Sequence, residues 1–362
     1  MSVARLMDRA RVENHLCSVL LELTYACNLD CQFCYNDLST QGRRLELDDY
    51  RGLLDELADM GALALTLSGG EPLVHPDFFE IGAHARALGF AVTVKSNGVP
   101  LNERNALRLK AEVDPYLVEM SLHGACAETH EEQTRQVGSF ERMLANIRRM
   151  KTMGFRMRLN SALTRLNEEE VSAMFALADE LGVPLRFDPD VTPKDDGDLS
   201  PLLLTASDAG KERMFRLTAE RALASRPATR APVASLPIRP PGGPKVTQQP
   251  KRQKNCGAGS TSLAVDPFGN VYPCVQFRRL VGNVHQDSVR GIWEGSKELE
   301  EIRALAYAAH EQAVANGMDS YCMGSTELLT GDPLRVHPEL KRNADIQKQV
   351  NRALLEPAGP QS

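Results

Sequence analysis

The sequence predicts an α/β chain: a mostly parallel sheet built from six strand-helix units, followed by a small module of short strands. Three observations carry this prediction. Apolar β-rich runs alternate six times with helical stretches of ten or more residues. A proline-rich basic stretch interrupts the pattern after residue 224. Beyond it, two β-like runs flank the turn Asp266, Pro267, Phe268, Gly269 and Asn270 and read as a hairpin.

Taken in order, residues 1–17 form an N-terminal segment and SVLLELT at 18–24 is the first strand. The stretch from Glu46 to Met60 sets Leu47, Leu53, Leu54 and Leu57 at helical spacing after an acidic start. Further strands are expected at 62–67, 90–95, 116–121, 155–161 and 184–188, with helices near 76–88, 102–111, 139–153, 167–181 and 206–224. Residues 225–255 hold seven of the 21 prolines and seven basic residues with no acid, and read as a linker or lid. Residues 256–335 form the second module. The stretch from Pro338 to Leu355 reads as one more helix, with Leu340, Ile346, Val350 and Leu354 on its apolar face, inside a C-terminal segment 336–362.

The chain has 362 residues, 42 Lys+Arg and 48 Asp+Glu, for a net charge of -6. Without the linker the remainder carries -6 minus 7, or -13, so charge is segregated and no nucleic-acid partner is expected. No run approaches a membrane span, and the start is too charged for a signal peptide, which predicts a cytoplasmic protein. Eight cysteines in a reducing compartment point to metal or redox chemistry rather than disulfides. Cys27, Cys31 and Cys34 form CxxxCxxC, whereas Cys17, Cys126, Cys256, Cys274 and Cys322 are scattered. Three close thiolates suit three corners of a cubane iron-sulfur cluster and leave one iron open, where zinc would normally take four ligands in pairs.

This triplet, with Phe33 before its last cysteine, resembles the signature loop of radical S-adenosylmethionine (radical SAM) enzymes. SGGEP at 68–72, KSNG at 95–98, SLHG at 121–124 and RLNSAL at 158–163 extend the resemblance. It implies a partial (β/α)6 barrel over 18–224, with reactive residues on loops beyond the strands' C-terminal ends. It also implies a [4Fe-4S] cluster on Cys27, Cys31 and Cys34 whose open iron chelates S-adenosylmethionine. One-electron cleavage of that cofactor then gives a 5'-deoxyadenosyl radical that abstracts hydrogen from a substrate. Gly69, Gly70 and Glu71 would face the methionyl amino group, although GGEP alone reads as a turn closed by Pro72. Ser96, Asn97 and Ser121 would reach ribose hydroxyls or the methionyl carboxylate, or else serve as turn residues and caps. Arg158, beside Asn160 and Ser161, would meet the carboxylate or point to solvent, and the Tyr35 backbone would flank the adenine.

Residues 256–335 resemble the SPASM and twitch extensions that hold auxiliary iron-sulfur clusters: CGAG, the DPxGNVYPC hairpin, the Gly282-Asn283 turn and a short helix with Trp293. Only Cys256, Cys274 and Cys322 are available there, so two full clusters are excluded. Ser260, Thr261 and Ser262 stand where the family often has a cysteine, as does Ser325. The readings are one auxiliary cluster with three cysteine ligands, its fourth site open or filled by a non-cysteine side chain or the substrate, and a module without a cluster. Cys17 and Cys126 read as small buried residues; Cys126 is also a candidate hydrogen-atom donor.

The resemblance implies a peptide substrate, with crosslinking, epimerisation or excision in a ribosomal precursor. The alternatives are dehydrogenation or epimerisation of a small polar metabolite, and a non-catalytic iron-sulfur or zinc protein. A sulfatase maturase is disfavoured because Val275 and Gln276, not an aspartate, follow Cys274. Only about 17 residues precede the first strand, so a peptide substrate would need a separate leader-binding protein or the barrel mouth itself. A flavodoxin or ferredoxin is the expected electron donor. Asp188, Asp190, Asp195, Asp196 and Asp198 after the sixth strand could hold a substrate amine or supply a base, or form a polar exposed loop.

Overall fold

A computed structural model describes residues 3–37, 39–225 and 253–355. Residues 226–252 of the proline-rich segment, expected as a linker or lid, lie outside the described residues. After α1 (Val3–Glu13), six parallel strands follow: β1 (Ser18–Thr24), β2 (Ala64–Gly69), β3 (Ala91–Ser96), β4 (Leu117–Ser121), β5 (Met157–Ala162) and β6 (Leu185–Asp188). Helices α2 (Leu47–Asp59), α3 (Phe78–Ala87), α4 (Glu103–Arg108), α5 (Ala127–Thr134), α6 (Ser139–Thr152), α7 (Val171–Leu181) and α8 (Asp208–Ala224) connect and close them. The result is a partial (β/α)6 barrel.

Within the barrel half, two helices were not expected. The polar run AETHEEQT of α5 shows no apolar stripe, and α1 reads as a charged lead before the first strand. The α2 start conforms to its acidic signal: Glu46 and Asp49 form a reciprocal capping box.

The C-terminal module continues the same sheet. β7 (Ser262–Val265) runs parallel to β1, pairing Ser18 with Ser262 through Leu21 with Val265. β8 (Asn270–Tyr272) and β9 (Gly282–Asn283) then add antiparallel, giving the order β6-β5-β4-β3-β2-β1-β7-β8-β9. β1 would otherwise expose an unpaired backbone edge, which β7 covers. The expected hairpin is thus a sheet extension, and the Asp266 carboxylate holds its turn by accepting from Phe268 N (2.8 Å), Asn270 N (2.9 Å) and Asn270 Nδ2 (2.8 Å). Lys254 and Asn255 are buried with this module: Asn255 Nδ2 donates to Tyr321 O (2.7 Å), and Lys254 Nζ donates to Ser260 Oγ (2.8 Å). Helices α9 (Val289–Gly295), α10 (Lys297–Ala315), α11 (Met323–Thr330) and α12 (Pro338–Leu355) complete the chain.

Alternate strand residues serve two faces. Val19, Leu21, Leu65, Leu67, Val92, Val94, Val118, Met120 and Leu159 join helix residues in one apolar core. The opposite, inner face is polar. Register pairs Glu22 with Ser68, Lys95 with Glu119, and Glu119 with Arg158; two residues further up, Ser121 pairs with Asn160 and Asn160 with Arg186. No helix of the described residues is long and apolar enough to cross a membrane.

α12 packs along α8, burying Leu340 and Val350. The wholly buried Lys211 ammonium pairs with Glu339, and Asn343 Nδ2 donates to Asp190. Burial, with Asp188 as a like-charged neighbour, pushes the Asp190 carboxyl up to about 6. A raised folded-state value means that its contribution to stability is fully present below about pH 4 and is lost as pH rises through 6. Asp190→Asn keeps the acceptor and offers an amide donor to Asn343 Oδ1, which is buried without a partner. The variant is expected to be about 1–2 kcal/mol more stable at pH 8 and unchanged near pH 3.5. Urea midpoints at the two pH values check this; equal gains at both would refute it.

Candidate active site

The cysteine loop leaves the C-terminal end of β1 and is tied down on both sides. Asp30 N donates to Thr134 O (3.1 Å) and Gln32 N to Gln133 O (3.0 Å), so the unexpected helix α5 is one anchor. The Phe33 ring meets His123 edge-on at 4.6 Å. The other anchor is the loop after β2, where Gly70 N donates to Thr24 O (2.7 Å) and Glu71 N to Ala26 O (3.0 Å). A Cβ on Gly69, whose φ is +129°, would sit 2.3 Å from Thr24 O, and one on Gly70 would sit 2.5 Å from Ala26 O. The two glycines are therefore demanded by the cysteine loop's own backbone.

Glu71 is the keystone of this floor. Its carboxylate accepts from Leu73 N (3.2 Å), Ser96 Oγ (3.0 and 3.1 Å) and Asn97 N (2.7 Å), while complete burial pushes it up to about 7. Ser96 was expected to reach the cofactor; its hydroxyl is instead spent on Glu71 in a buried position. Asn97 reaches the cysteine loop: its Nδ2 donates to Asn28 Oδ1 (2.8 Å) and lies 3.9 Å from Cys27 Sγ. Ser121 and Asn160 sit side by side on the inner face. Arg158, expected at a carboxylate, lies one layer deeper, paired with Glu119, which also faces Lys95 at 3.8 Å. Tyr35 uses its carbonyl to accept from Asp195 N (2.8 Å).

Sequence reasoning did not find Asn36, buried with Nδ2 on Gly69 O (3.3 Å), nor Gln133, nor Arg278. None stands in a short motif; Gln133 and Arg278 act across more than a hundred residues of chain. Arg278 forks onto Glu22 at 2.8 Å twice and reaches Asp195 at 2.9 Å. The acidic loop is divided accordingly: Asp195 binds Arg278, Asp198 binds Lys194 (2.7 Å), Asp190 binds Asn343, and Asp196 caps its own turn. Cys126 was expected to be buried or to donate hydrogen; it is exposed at the start of α5, with Sγ 3.6 Å from both Thr129 Oγ1 and Glu170 Oε1. Cys17 is half-buried at the foot of β1, donating to His15 O (3.3 Å).

All eight thiols are free. Partial desolvation in the folded loop raises the Cys27, Cys31 and Cys34 thiols above the ordinary range, although the Cys27 residue as a whole is exposed, and for Cys31 the neighbouring Cys34 and Cys27 add to this. Thiols raised in this way need a positive centre among them to become thiolates, which an iron-sulfur cluster provides. Among the described residues no three His, Cys, Asp or Glu side chains close on one point as ligands of a single ion would. A cubane takes each thiolate on a different iron, which three cysteines on one short loop can supply.

A second triad lies in the C-terminal module. Burial pushes Cys274 up to about 11, with Cys322 and Cys256 as further causes, and Cys256 is raised by burial and by Cys322. Lys95 connects the two regions. Its ammonium is lowered by burial and by Arg158 and Arg186, while Asp188 and Cys274 act the other way. Lys95 on the polar inner face is thus within electrostatic reach of Cys274.

A family model described as the radical SAM superfamily matches residues 21–178, and one described as an iron-sulfur cluster-binding domain, SPASM, matches residues 256–323. The chain is 30% identical over 340 residues to an AdoMet-dependent heme synthase of Methanosarcina barkeri, covering 88% of this chain and 94% of that one. It is 30% identical over 331 residues to the mycofactocin maturase MftC of Mycobacterium tuberculosis, covering 86% of this chain and 79% of that one. Among solved structures, Streptococcus suis SuiB bound to precursor peptide SuiA superposes with a TM-score of 0.63 at 14% identity, over 83% of this chain and 70% of that one.

Proposed function

Because the chain belongs to the radical SAM superfamily and carries a SPASM module, we propose that it abstracts hydrogen from a peptide and so modifies a ribosomally made precursor. The observation that carries this reading is one polar barrel interior that approaches Cys27 through Asn97 and sets Lys95 within electrostatic reach of Cys274. Cys27, Cys31 and Cys34 hold the first cluster, and Cys256, Cys274 and Cys322 hold an auxiliary one. When bound, the first cluster and S-adenosylmethionine supply a 5'-deoxyadenosyl radical. The protein's part is to hold the thiolates, through the anchors on α5 and Glu71, and to seat the substrate. Gly69, Gly70, Asn97, Ser121 and Asn160 line the cofactor's side; Glu71 and Ser96 support them from below. MftC, a maturase by name, supports the maturation reading, and its match spans most of both chains.

Lys95, Arg158 and Arg186 give the inner face its cations. Glu119 pairs with the first two, whereas Arg186 has no ion-pair partner among the described residues. Arg186 is therefore placed to receive a substrate carboxylate. Arg186→Met is expected to raise the KM of such a substrate about tenfold or more, since a charge-assisted hydrogen bond is worth about 1.5–3 kcal/mol; an unchanged KM refutes the assignment.

A second reading, a small-molecule substrate such as a haem precursor, is favoured by the heme synthase relative, of which 94% is covered. One experiment separates the two. Anaerobically reconstituted protein with dithionite and S-adenosylmethionine is offered peptides encoded by short neighbouring reading frames, or an iron tetrapyrrole. The peptide reading expects 5'-deoxyadenosine together with a peptide altered in mass or chirality. Turnover of the tetrapyrrole alone overturns it. The cytoplasm is the proposed compartment, where thiols stay reduced. A flavodoxin or ferredoxin as donor and a separate leader-binding protein are proposed partners.

A further inference from the structure

The auxiliary triad is one donor short of closing a cluster, and the chain supplies an oxygen next to it. We propose that Ser325 is the fourth protein ligand of the auxiliary iron-sulfur site, binding iron through its hydroxyl oxygen beside the thiolates of Cys256, Cys274 and Cys322. The inference rests on the reading that this module holds a cluster.

Ser325 Oγ lies 3.2 Å from Cys322 Sγ, and Ser325 N donates to the same sulfur at 3.4 Å. The residue is 5% exposed. Cys322 caps α11 and Ser325 stands on its first turn, so both side chains leave one end of one helix. That end is fixed against the Cys274 turn: a Cβ on Gly324 would lie 2.0 Å from Gln276 O, so glycine alone allows the approach. The Ser325 hydroxyl has no other partner, which leaves its oxygen lone pairs free.

The competing hydroxyls are placed otherwise. Ser260 Oγ accepts from the Lys254 ammonium at 2.8 Å, Thr261 Oγ1 donates to Gly257 O at 3.4 Å, and Ser262 Oγ donates to Gly257 O at 3.3 Å. Thr326 Oγ1 is buried without a partner on the same turn but reaches none of the three thiols. Of the four positions where oxygen side chains stand in for a cysteine, only Ser325 touches a sulfur of the triad. As the iron–oxygen bond forms, the hydroxyl proton passes to solvent and no electron is transferred. A hard alkoxide in place of a thiolate favours the oxidised cluster.

The test uses the full chain carrying Cys27→Ala, Cys31→Ala and Cys34→Ala, reconstituted anaerobically so that only auxiliary iron remains. Iron content, and electron paramagnetic resonance of the dithionite-reduced protein with and without 2-mercaptoethanol, are compared for Ser325, Ser325→Ala, Ser325→Cys and Thr326→Val. With Ser325 or with Thr326→Val the spectrum should not respond to the added thiol. Ser325→Ala should either respond to it or lose iron, and Ser325→Cys should retain the iron with a higher midpoint potential. If Ser325→Ala keeps its iron and its spectrum ignores the thiol, Ser325 is a hydrogen-bond donor only and the inference fails while the cluster stands. If the parent holds no iron, the reading beneath it fails as well.

Discussion

Replacing Cys27, Cys31 and Cys34 together by alanine is expected to reduce 5'-deoxyadenosine production to the background of a protein-free assay. The loss should be complete because the three thiols act as one unit: each ligates a separate iron, and effects of residues that work as a unit do not divide among them. The fold should survive. Cys27 is exposed and the other two are only half-buried, and the loop is held by backbone bonds to Thr134, Gln133, Gly70 and Glu71, which alanine leaves in place. Urea unfolding of the iron-free variant should therefore fall within about 1 kcal/mol of the iron-free parent. Iron content should drop to the auxiliary share, so the variant also separates the two clusters. Retained cleavage would remove the basis for assigning the reaction to this loop.

The periodicity of the sequence located all six barrel strands and most helices because each buries one face, which leaves a repeating apolar signal. The cysteine spacing was readable for the same kind of reason: a cluster needs its thiols on one short loop. Residues that work across long separations left no such trace. Glu71 and Ser96 were legible as motif members, but their mutual hydrogen bonds turned an expected cofactor contact into a buried support. Helix α5 carries no apolar stripe, yet its last residues pin the cysteine loop through backbone carbonyls, which have no side-chain signature. The pairing of β7 with β1 joins residues more than 240 apart, so the second module read as separate although it prolongs the same sheet.

Arg278→Met is expected to destabilise the protein by about 3–5 kcal/mol, the cost of leaving a buried charge without its partner. Glu22 is wholly buried on β1, and Arg278 covers both of its oxygens at 2.8 Å while also reaching Asp195 beyond β6. One guanidinium thus ties the first strand, the last barrel loop and the C-terminal module together. Methionine fills much of the same volume and carries no charge, and only the Tyr25 hydroxyl, at 3.2 Å, would remain to donate to Glu22. A buried carboxylate stripped of its cation is relieved by taking up a proton, so the loss should be smaller in acid and grow as pH rises. Adding Glu22→Gln removes the stranded charge, so the double variant should recover a large part of the loss and its pH slope, because a matched neutral pair leaves no ion to desolvate. Urea midpoints of the two single variants and the double variant at pH 5 and pH 8 decide the matter. A loss under about 1 kcal/mol for Arg278→Met, or equal losses at both pH values, would mean that the sheet pairing of β7 with β1 holds the module without this ion pair.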